Sequence, residues 1–583
     1  MTTVQTAEAA GVGTSAQTLP GLLHHRAVTR PDQVAYVFLA NGEEPAETVT
    51  YAELHAAAAE RAGLLARTTE RGSPVVLLYP SGLEFIRTLL GCMYAGVPAA
   101  PVQVPRRVTG VERMRRIADD AGTGIVLTTA AVRDDLMTRF GDVPAMKGLT
   151  IVATDVSPPA GADPAPRPLP VDIALLQYTS GSTGDPKGVM VSHANFLGNA
   201  REIDVLWPCR PDGAVVSWLP FFHDMGMVKG IVLPLWAGIP SYVMAPEAFV
   251  RDPLRWLRAI SRFRGTHSAG PNFAFELCVR AARAGRDLSG IDLSSWRLAG
   301  NGAERVREPT VRAFAEAFGP LGFDPRAMCP CYGLAENTLK ATGSRPDQEP
   351  FVLRVRAGAL TENRVEMVIG EGEPGNVVDL VSTGIPVQGT RVRIVDPDTG
   401  HLCPHGRVGE IWLSGPSVAQ GYWRRPAETG TVFHAWIAGA EHEGPHLRTG
   451  DLGFLHDGEL YVAGRQKDLV VYQGRNFYPQ DIELSVERCD PGLHPNSCAA
   501  FAVDDGEAER LVVVVEASGR TLRVTGAGTL RARVRAAVHE GQRLAVDDVV
   551  VVRRGSLPVT SSGKVQRRLC RQLYLDGRLT PAK

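Results

Sequence analysis

The stretch Thr179-Ser180-Gly181-Ser182-Thr183-Gly184-Asp185-Pro186-Lys187-Gly188 lies between two apolar runs, Ile173-Ala174-Leu175-Leu176 before it and Val189-Met190-Val191 after it. A loop of small hydroxylated residues and glycines between two strands offers backbone N–H groups, hydroxyls and one cation to a polyphosphate. Its glycines let the main chain approach phosphate oxygens closely and take positive φ without strain. It is not a Walker P-loop, because Pro186 stands before Lys187 where that motif needs Gly, and no Gly-x-Ser-x-Gly nucleophile elbow occurs in it. Taken alone such a loop is equally a solvated turn. Its meaning depends on what the rest of the chain supplies.

Lysine usage supplies the first support. Of 62 lysines and arginines only seven are lysine: Lys147, Lys187, Lys229, Lys340, Lys467, Lys564 and Lys583. Three of them stand in glycine-, serine- or arginine-rich settings: Lys187, Lys467 in Gly464-Arg465-Gln466-Lys467-Asp468, and Lys564 in Thr560-Ser561-Ser562-Gly563-Lys564. An ammonium is a compact point charge on a flexible stem, which arginine's planar fork does not imitate. Lysine kept against so strong an arginine bias points to tasks that need lysine.

Outward from the loop, an α/β rhythm repeats. Thr50 with Glu53 forms a capping box that opens an alanine-rich helix to about Arg67. Val75-Val76-Leu77-Leu78-Tyr79 reads as a buried strand, followed by a helix carrying Phe85, Ile86, Leu89, Leu90 and Met93 that Gly96 closes. Further strands are expected at Ile125-Val126-Leu127, at Leu175 and at Val215-Val216, with a Pro/Ala/Gly linker from Ser157 to Pro170 tying two lobes. The tail changes texture. Leu511–Val515 and Val549–Val552 read as strands, with a helix between them on Leu530, Val534 and Val538 that Gly541 ends. The expected architecture is α/β: a flexible N-terminus over 1–18, a large multi-lobed domain over 19–467, and a small α+β domain over 468–583.

A chain of 583 residues is too long for one core. A net charge of −1 gives no reason to expect nucleic acid or an anionic membrane surface as partner. No apolar run reaches the roughly 20 residues of a membrane span, so stable membrane insertion is not expected. Nine scattered cysteines fit a reducing compartment, and the N-terminus lacks a signal-peptide pattern; a cytoplasmic location is expected. His442 and His446 have metal-like spacing, but Gly444-Pro445 between them forbids the helix that would align them.

Six further stretches follow the loop in order: Trp218-Leu219-Pro220-Phe221-Phe222-His223-Asp224-Met225-Gly226, Ala299-Gly300-Asn301-Gly302-Ala303-Glu304, Tyr332-Gly333-Leu334-Ala335-Glu336, Arg448-Thr449-Gly450-Asp451-Leu452-Gly453, Gly464–Asp468 and Pro558–Lys564. Together they closely resemble the adenylate-forming enzymes, that is, acyl-CoA synthetases, peptide-synthetase adenylation domains and luciferases, over about residues 20–575. The resemblance implies a set of roles. Thr179, Ser180, Gly181, Ser182, Thr183, Gly184 and Lys187 would hold the phosphates of ATP. Gly302, Ala303, Glu304, Tyr332 and Gly333 would form the adenine slot. Asp451 would accept the ribose hydroxyls, backed by Arg465. Glu336 would bind Mg²⁺, and Lys564 would bridge the substrate carboxylate and the α-phosphate. His223 would gate an acyl pocket shared with Asp224, Gly226, Met227 and Phe273, and Asp468 would be the hinge of the small domain.

Where amino-acid-activating relatives carry an aspartate for the substrate ammonium, Phe222-His223 stands, with Asp224 one residue later. An apolar surround of Met225, Met227, Val228, Ile231 and Phe273–Phe275 favours an aliphatic or fatty acid. His223–Gly226, Gly270-Pro271-Asn272-Phe273 and Gly474-Arg475-Asn476-Phe477-Tyr478-Pro479-Gln480-Asp481-Ile482-Glu483 further resemble the fatty acyl-AMP ligases, as does an inserted segment at about 341–382, where Phe351–Arg356 and Val365–Val368 read as short strands. That branch passes the acyl group to the thiol of a holo-acyl carrier protein rather than to free CoA. A conventional acyl-CoA synthetase, an amino-acid adenylation domain and an inactive binding homologue remain the alternatives.

Overall fold

The computed structural model describes residues 16–156, 168–179, 186–370, 376–472, 475–504, 509–560 and 563–582. Two large sheets dominate the N-terminal part. One has six strands, in the order Thr150–Ala153, Ile125–Thr128, Val75–Leu77, Ala99–Pro101, Ile173–Thr179, Lys187–Ser192. The other has nine, from Ile385–Pro386 at one edge to Glu44–Thr50 at the other, with Met328–Gly333, Leu298–Gly302 and His267–Pro271 adjacent and parallel near its centre. Helices Tyr51–Thr68, Leu83–Ala95 and His193–Leu206 contribute to one core cluster with residues of both sheets. Leu83–Ala95 is apolar on nearly every face and is buried on nearly every face, as such a helix must be.

Local signals hold. The Thr50 hydroxyl accepts from the Glu53 N–H, and the Glu53 carboxylate accepts from the Thr50 N–H at 2.8 Å. Gly96 ends its helix at φ 69°, where a side chain would be strained.

Several readings need correction. The segment 157–170 does not tie two lobes, because the strands on either side of it, Thr150–Ala153 and Ile173–Thr179, belong to the same six-stranded sheet; 157–167 itself lies outside the described residues. Thr18 is not frayed but buried, capping the helix Leu19–Thr29 through its hydroxyl. The small-domain helix Ala527–Gln542 runs past Gly541 and closes on Arg543 at φ 54°. Val365–Val368 is not a strand: Val352–Arg356 pairs antiparallel with Val377–Val381, and the 365–368 stretch makes one isolated bridge, Met367 to Val355.

A four-stranded sheet, Arg391–Val395, Gly409–Ser414, Leu447–His456 and Glu459–Arg465, completes the large domain. Beyond Asp468 a second core forms around Cys498–Asp504, Glu509–Ala517 and Asp548–Arg553, packed by Pro479–Arg488 and Ala527–Gln542. The hairpin of Val352–Arg356 and Val377–Val381 sits between these bodies. Val355, Leu360 and Leu380 pack with Leu452, Phe454 and Tyr461 of the four-stranded sheet and with Tyr478 of the small domain.

Candidate active site

The large and small domains meet over a cavity of about 770 Å³. Its nucleotide-side wall begins at Met328–Gly333, whose last residues are Tyr332 and Gly333. A Cβ on Gly333 would fall 1.8 Å from the Leu339 carbonyl oxygen, so the tight return to Lys340 requires glycine here. On the four-stranded sheet Asp451 is registered opposite Arg465. The buried Asp451 carboxylate accepts from the Tyr332 hydroxyl at 2.7 Å and from Arg465 Nε at 2.9 Å. Burial, and then the Asp451 charge, push the Tyr332 hydroxyl pKa far up, so it remains a donor. A carboxylate oxygen has two lone-pair sites, and each Asp451 oxygen keeps capacity for a ligand hydroxyl.

Lys564 reaches the cavity from the small domain. A turn presents it: Thr560 N–H donates to the Lys564 carbonyl at 2.7 Å, Lys564 N–H donates to the Thr560 hydroxyl at 3.1 Å, and Gly563 takes φ 80°. Burial lowers the Lys564 pKa; the Asp224 charge opposes this, while Arg465 adds to it. For Asp224, burial acts to raise the pKa. The hydrogen bond and charge of His223, the charge of Lys564 and the Met225 N–H outweigh it and hold the carboxyl below its ordinary range. His223 Nδ1 lies 3.0 Å from Asp224 Oδ1, and both residues line the cavity.

Glu336 is half-buried in its wall and accepts from the Tyr422 hydroxyl at 2.9 Å. Burial raises its pKa, so a cation beside it would restore the ionised form. Lys187 opens the strand opposite Thr179, in a salt bridge with Glu428 and 5.4 Å from the Tyr422 ring centroid. Ser180, Gly181, Ser182, Thr183 and Gly184 lie outside the described residues. Glu304 has other engagements: its carboxylate accepts from Phe273 N–H, at the start of helix Asn272–Arg283, at 2.6 Å, and from Asn496 of the small domain at 3.1 Å. Asp468 lines the cavity and accepts from Arg567, whose guanidinium also forks onto Glu483 at 2.6 Å on both arms.

Among the described residues, Gly302, Gly226, Met227 and Phe273 are expected site residues that are not on the wall. Gly302 is needed because a Cβ would lie 2.8 Å from the Cys331 carbonyl oxygen and sulfur, and Gly226 because one would lie 2.2 Å from the Pro220 oxygen. Met227 is fully buried core. Phe273 packs edge-on to Trp218, near the position a Cβ on Gly563 would take. Gln177, Lys229, Lys340 and Tyr422, which the motifs did not single out, do line the cavity. The arginine bias could have found two of these: Lys187, Lys229, Lys340, Lys467 and Lys564, five of the seven lysines, line this one cavity.

Comparison with known proteins agrees with this geometry. Residues 23–423 match the family described as AMP-binding enzyme, and residues 467–583 match the Disco-interacting protein 2-like AMP domain. The medium-chain-fatty-acid–[acyl-carrier-protein] ligase JamA of Moorena producens is 43% identical over 96% of both chains. The long-chain-fatty-acid–AMP ligase FadD26 of Mycobacterium marinum is 37% identical over 96% of this chain and 97% of its own. The fatty acyl-adenylate ligase of Legionella pneumophila, solved with acyl adenylate and pyrophosphate, superposes at a TM-score of 0.73 with 37% identity over 97% of both chains. The chain belongs to the AMP-binding enzyme family and is an adenylate-forming ligase.

Proposed function

We propose that this ligase activates a fatty acid with ATP as acyl-AMP and passes the acyl group to the phosphopantetheine thiol of a holo-acyl carrier protein. The observation that carries the reading is the convergence of Lys564, from one domain, with the Asp451–Tyr332–Arg465 cluster of the other in one cavity. A carboxylate oxygen attacks the α-phosphorus, an O–P bond forms, and the bond to the β-phosphate oxygen breaks to release pyrophosphate. Negative charge gathers on phosphoryl oxygens, and preorganised cations there act most strongly in the transition state. Lys564 is the cation for the α-phosphate and the attacking carboxylate. Lys187 serves the departing pyrophosphate, and Asp451 orients the ribose through its spare lone pairs. In the second step the thiol sulfur attacks the acyl carbonyl and AMP leaves.

Glu336 suits Mg²⁺, since a hard cation wants carboxylate oxygen and burial leaves this carboxylate short of positive charge. When bound, Mg²⁺ would neutralise charge on the phosphates. The inserted segment supports a carrier protein over CoA. Arg475 of the small domain donates to the Thr361 hydroxyl at 2.9 and 3.2 Å, and Asn476 N–H donates to the Thr361 carbonyl. These bonds favour one domain arrangement, and a carrier's own docking surface can offset that bias where CoA cannot. The nine cysteines are all free thiols, which supports a cytoplasmic setting, and among the described residues no helix is long and apolar enough to cross a membrane. Acid-dependent ATP–pyrophosphate exchange tests the first step. Exchange stimulated by fatty acids is expected; no stimulation by any chain length would overturn the proposal.

A further inference from the structure

Beyond the catalytic cluster, the cavity wall includes Lys229 and Lys340. Lys229 sits in a π-helical turn, Val228–Val232, a few residues after His223 and Asp224, and such turns recur at functional sites. Lys340 begins the strand that returns from Tyr332 and Gly333. Both side chains are deeply buried, 7% and 2% exposed, and neither ammonium has a hydrogen-bond partner. Their nitrogens lie over the same indole, 4.3 Å and 3.0 Å from the Trp207 ring centroid. Gly343 leaves the room: a Cβ there would fall 2.5 Å from Lys340 Cε.

Two like cations buried side by side without a carboxylate between them are costly, and an apolar pair would pack there at less cost. A chain that uses arginine almost everywhere else has nevertheless placed two of its seven lysines here. The acid that acts on Lys340, Glu202, is already engaged by Ser417 and Thr390, and Asp204, beside Cys209, is engaged by the Cys209 N–H and the Trp236 indole N–H. Cys209, Cys329, Cys331 and His267 complete the surroundings and bring no fixed negative charge. The cavity wall therefore contains a preformed pair of unpartnered amines that a plain alkyl chain cannot satisfy.

We propose that the preferred acid carries a second anionic group at its far end, which the Lys229 and Lys340 ammonium groups grip together against Trp207. This rests on the reading of the cavity as the acyl and nucleotide site, and it narrows the substrate class to dicarboxylic or similarly acid-tipped acids. Burial pulls both amines down, Lys229 to about 8 and Lys340 well below the ordinary lysine value, and a bound anion would favour the protonated form of each. Trp207 closes the compartment behind them as a fully buried wall.

The test compares octanoic acid, 8-hydroxyoctanoic acid and octanedioic acid, with homologues two to six carbons longer, by ATP–pyrophosphate exchange and by calorimetric binding. The wild-type protein should favour the diacid series over the monoacids by at least about tenfold in kcat/KM, because a site built for a polar group rejects the analogue lacking it. Lys229→Met and Lys340→Met should each remove that preference, lowering diacid use and raising monoacid use. A merely structural role would lower both together. Monoacid or hydroxy-acid preference in the wild type would overturn the proposal while leaving the adenylation reading intact. If exchange failed with every acid, the adenylation reading would fall. Calorimetry would still decide this one: diacid binding lost in both variants upholds the anion site, and equal binding of diacid and monoacid to the wild type rejects it.

Discussion

Lys564 stands on a turn of the small domain, yet burial and then Asp224, Arg465, Glu304 and Asp451 of the large one act on its charge. Removing it should leave each domain's core untouched. Lys564→Ala is expected to slow acyl-AMP formation by about 10²–10³-fold, roughly 3–4 kcal/mol, as for other preorganised oxyanion donors. Acid-dependent pyrophosphate release within threefold of wild type would contradict the assignment. The protonated amine is the active form, and burial lowers its pKa, so the rate should fall as pH rises through a value below that of an ordinary lysine. Asp224 opposes that lowering, so Asp224→Asn should move the alkaline limb of the pH–rate profile to lower pH. A limb that stays in place or moves up would show that the two groups do not communicate. At this scale the polar motifs mark residues that the fold brings together: Tyr332, Asp451, Arg465 and Lys564 line one cavity. Met227 and Phe273 were not distinguishable from their neighbours, because which apolar side chain faces the acyl space depends on packing between distant strands. Lys229 and Lys340 belong to no recognised stretch, and only the scarcity of lysine marks them.

The segment 341–382 shows which elements can be read locally. The capping box at Thr50 and the glycine cap at Gly96 are closed within a few residues, and the sequence alone specifies them. The partner of Val352–Arg356 lies beyond a stretch of similar character, and strand pairing is non-local, so Val365–Val368 was mistaken for a strand and Val377–Val381 overlooked. The same limit hid the shared sheet on either side of 157–170. The insert's contact with the small domain passes largely through Thr361, which bonds Arg475 by its hydroxyl and Asn476 by its carbonyl. Arg475→Ala should weaken this tie while leaving adenylation within about twofold. A change near 1.4 kcal/mol in the domain equilibrium would shift it about tenfold and raise any CoA thioester yield in proportion. Reduced adenylation with no gain of thioester would mean that the contact only supports folding.

Across the whole molecule, one cavity is assembled from two separately packed bodies, and we propose that they move relative to one another between the two half-reactions. Asp468 lies at the join, at the end of the short helix Gln466–Asp468 and tied to Arg567. Proline fixes φ near −65° and removes an N–H, so Asp468→Pro should depress thiol transfer by at least about tenfold more than acyl-AMP formation, as expected for a hinge. Equal loss of both half-reactions would place the hinge elsewhere. The two-body plan was legible in the change of texture after Asp468, but the cavity between them was not, since no local pattern records how two cores face each other. The most direct measurement follows product identity by mass spectrometry, with acid and ATP supplied first alone, then with CoA, then with a holo-acyl carrier protein. Acyl-AMP alone, negligible acyl-CoA, and an acylated carrier are the expected products; robust acyl-CoA formation by the unaltered protein would contradict the account.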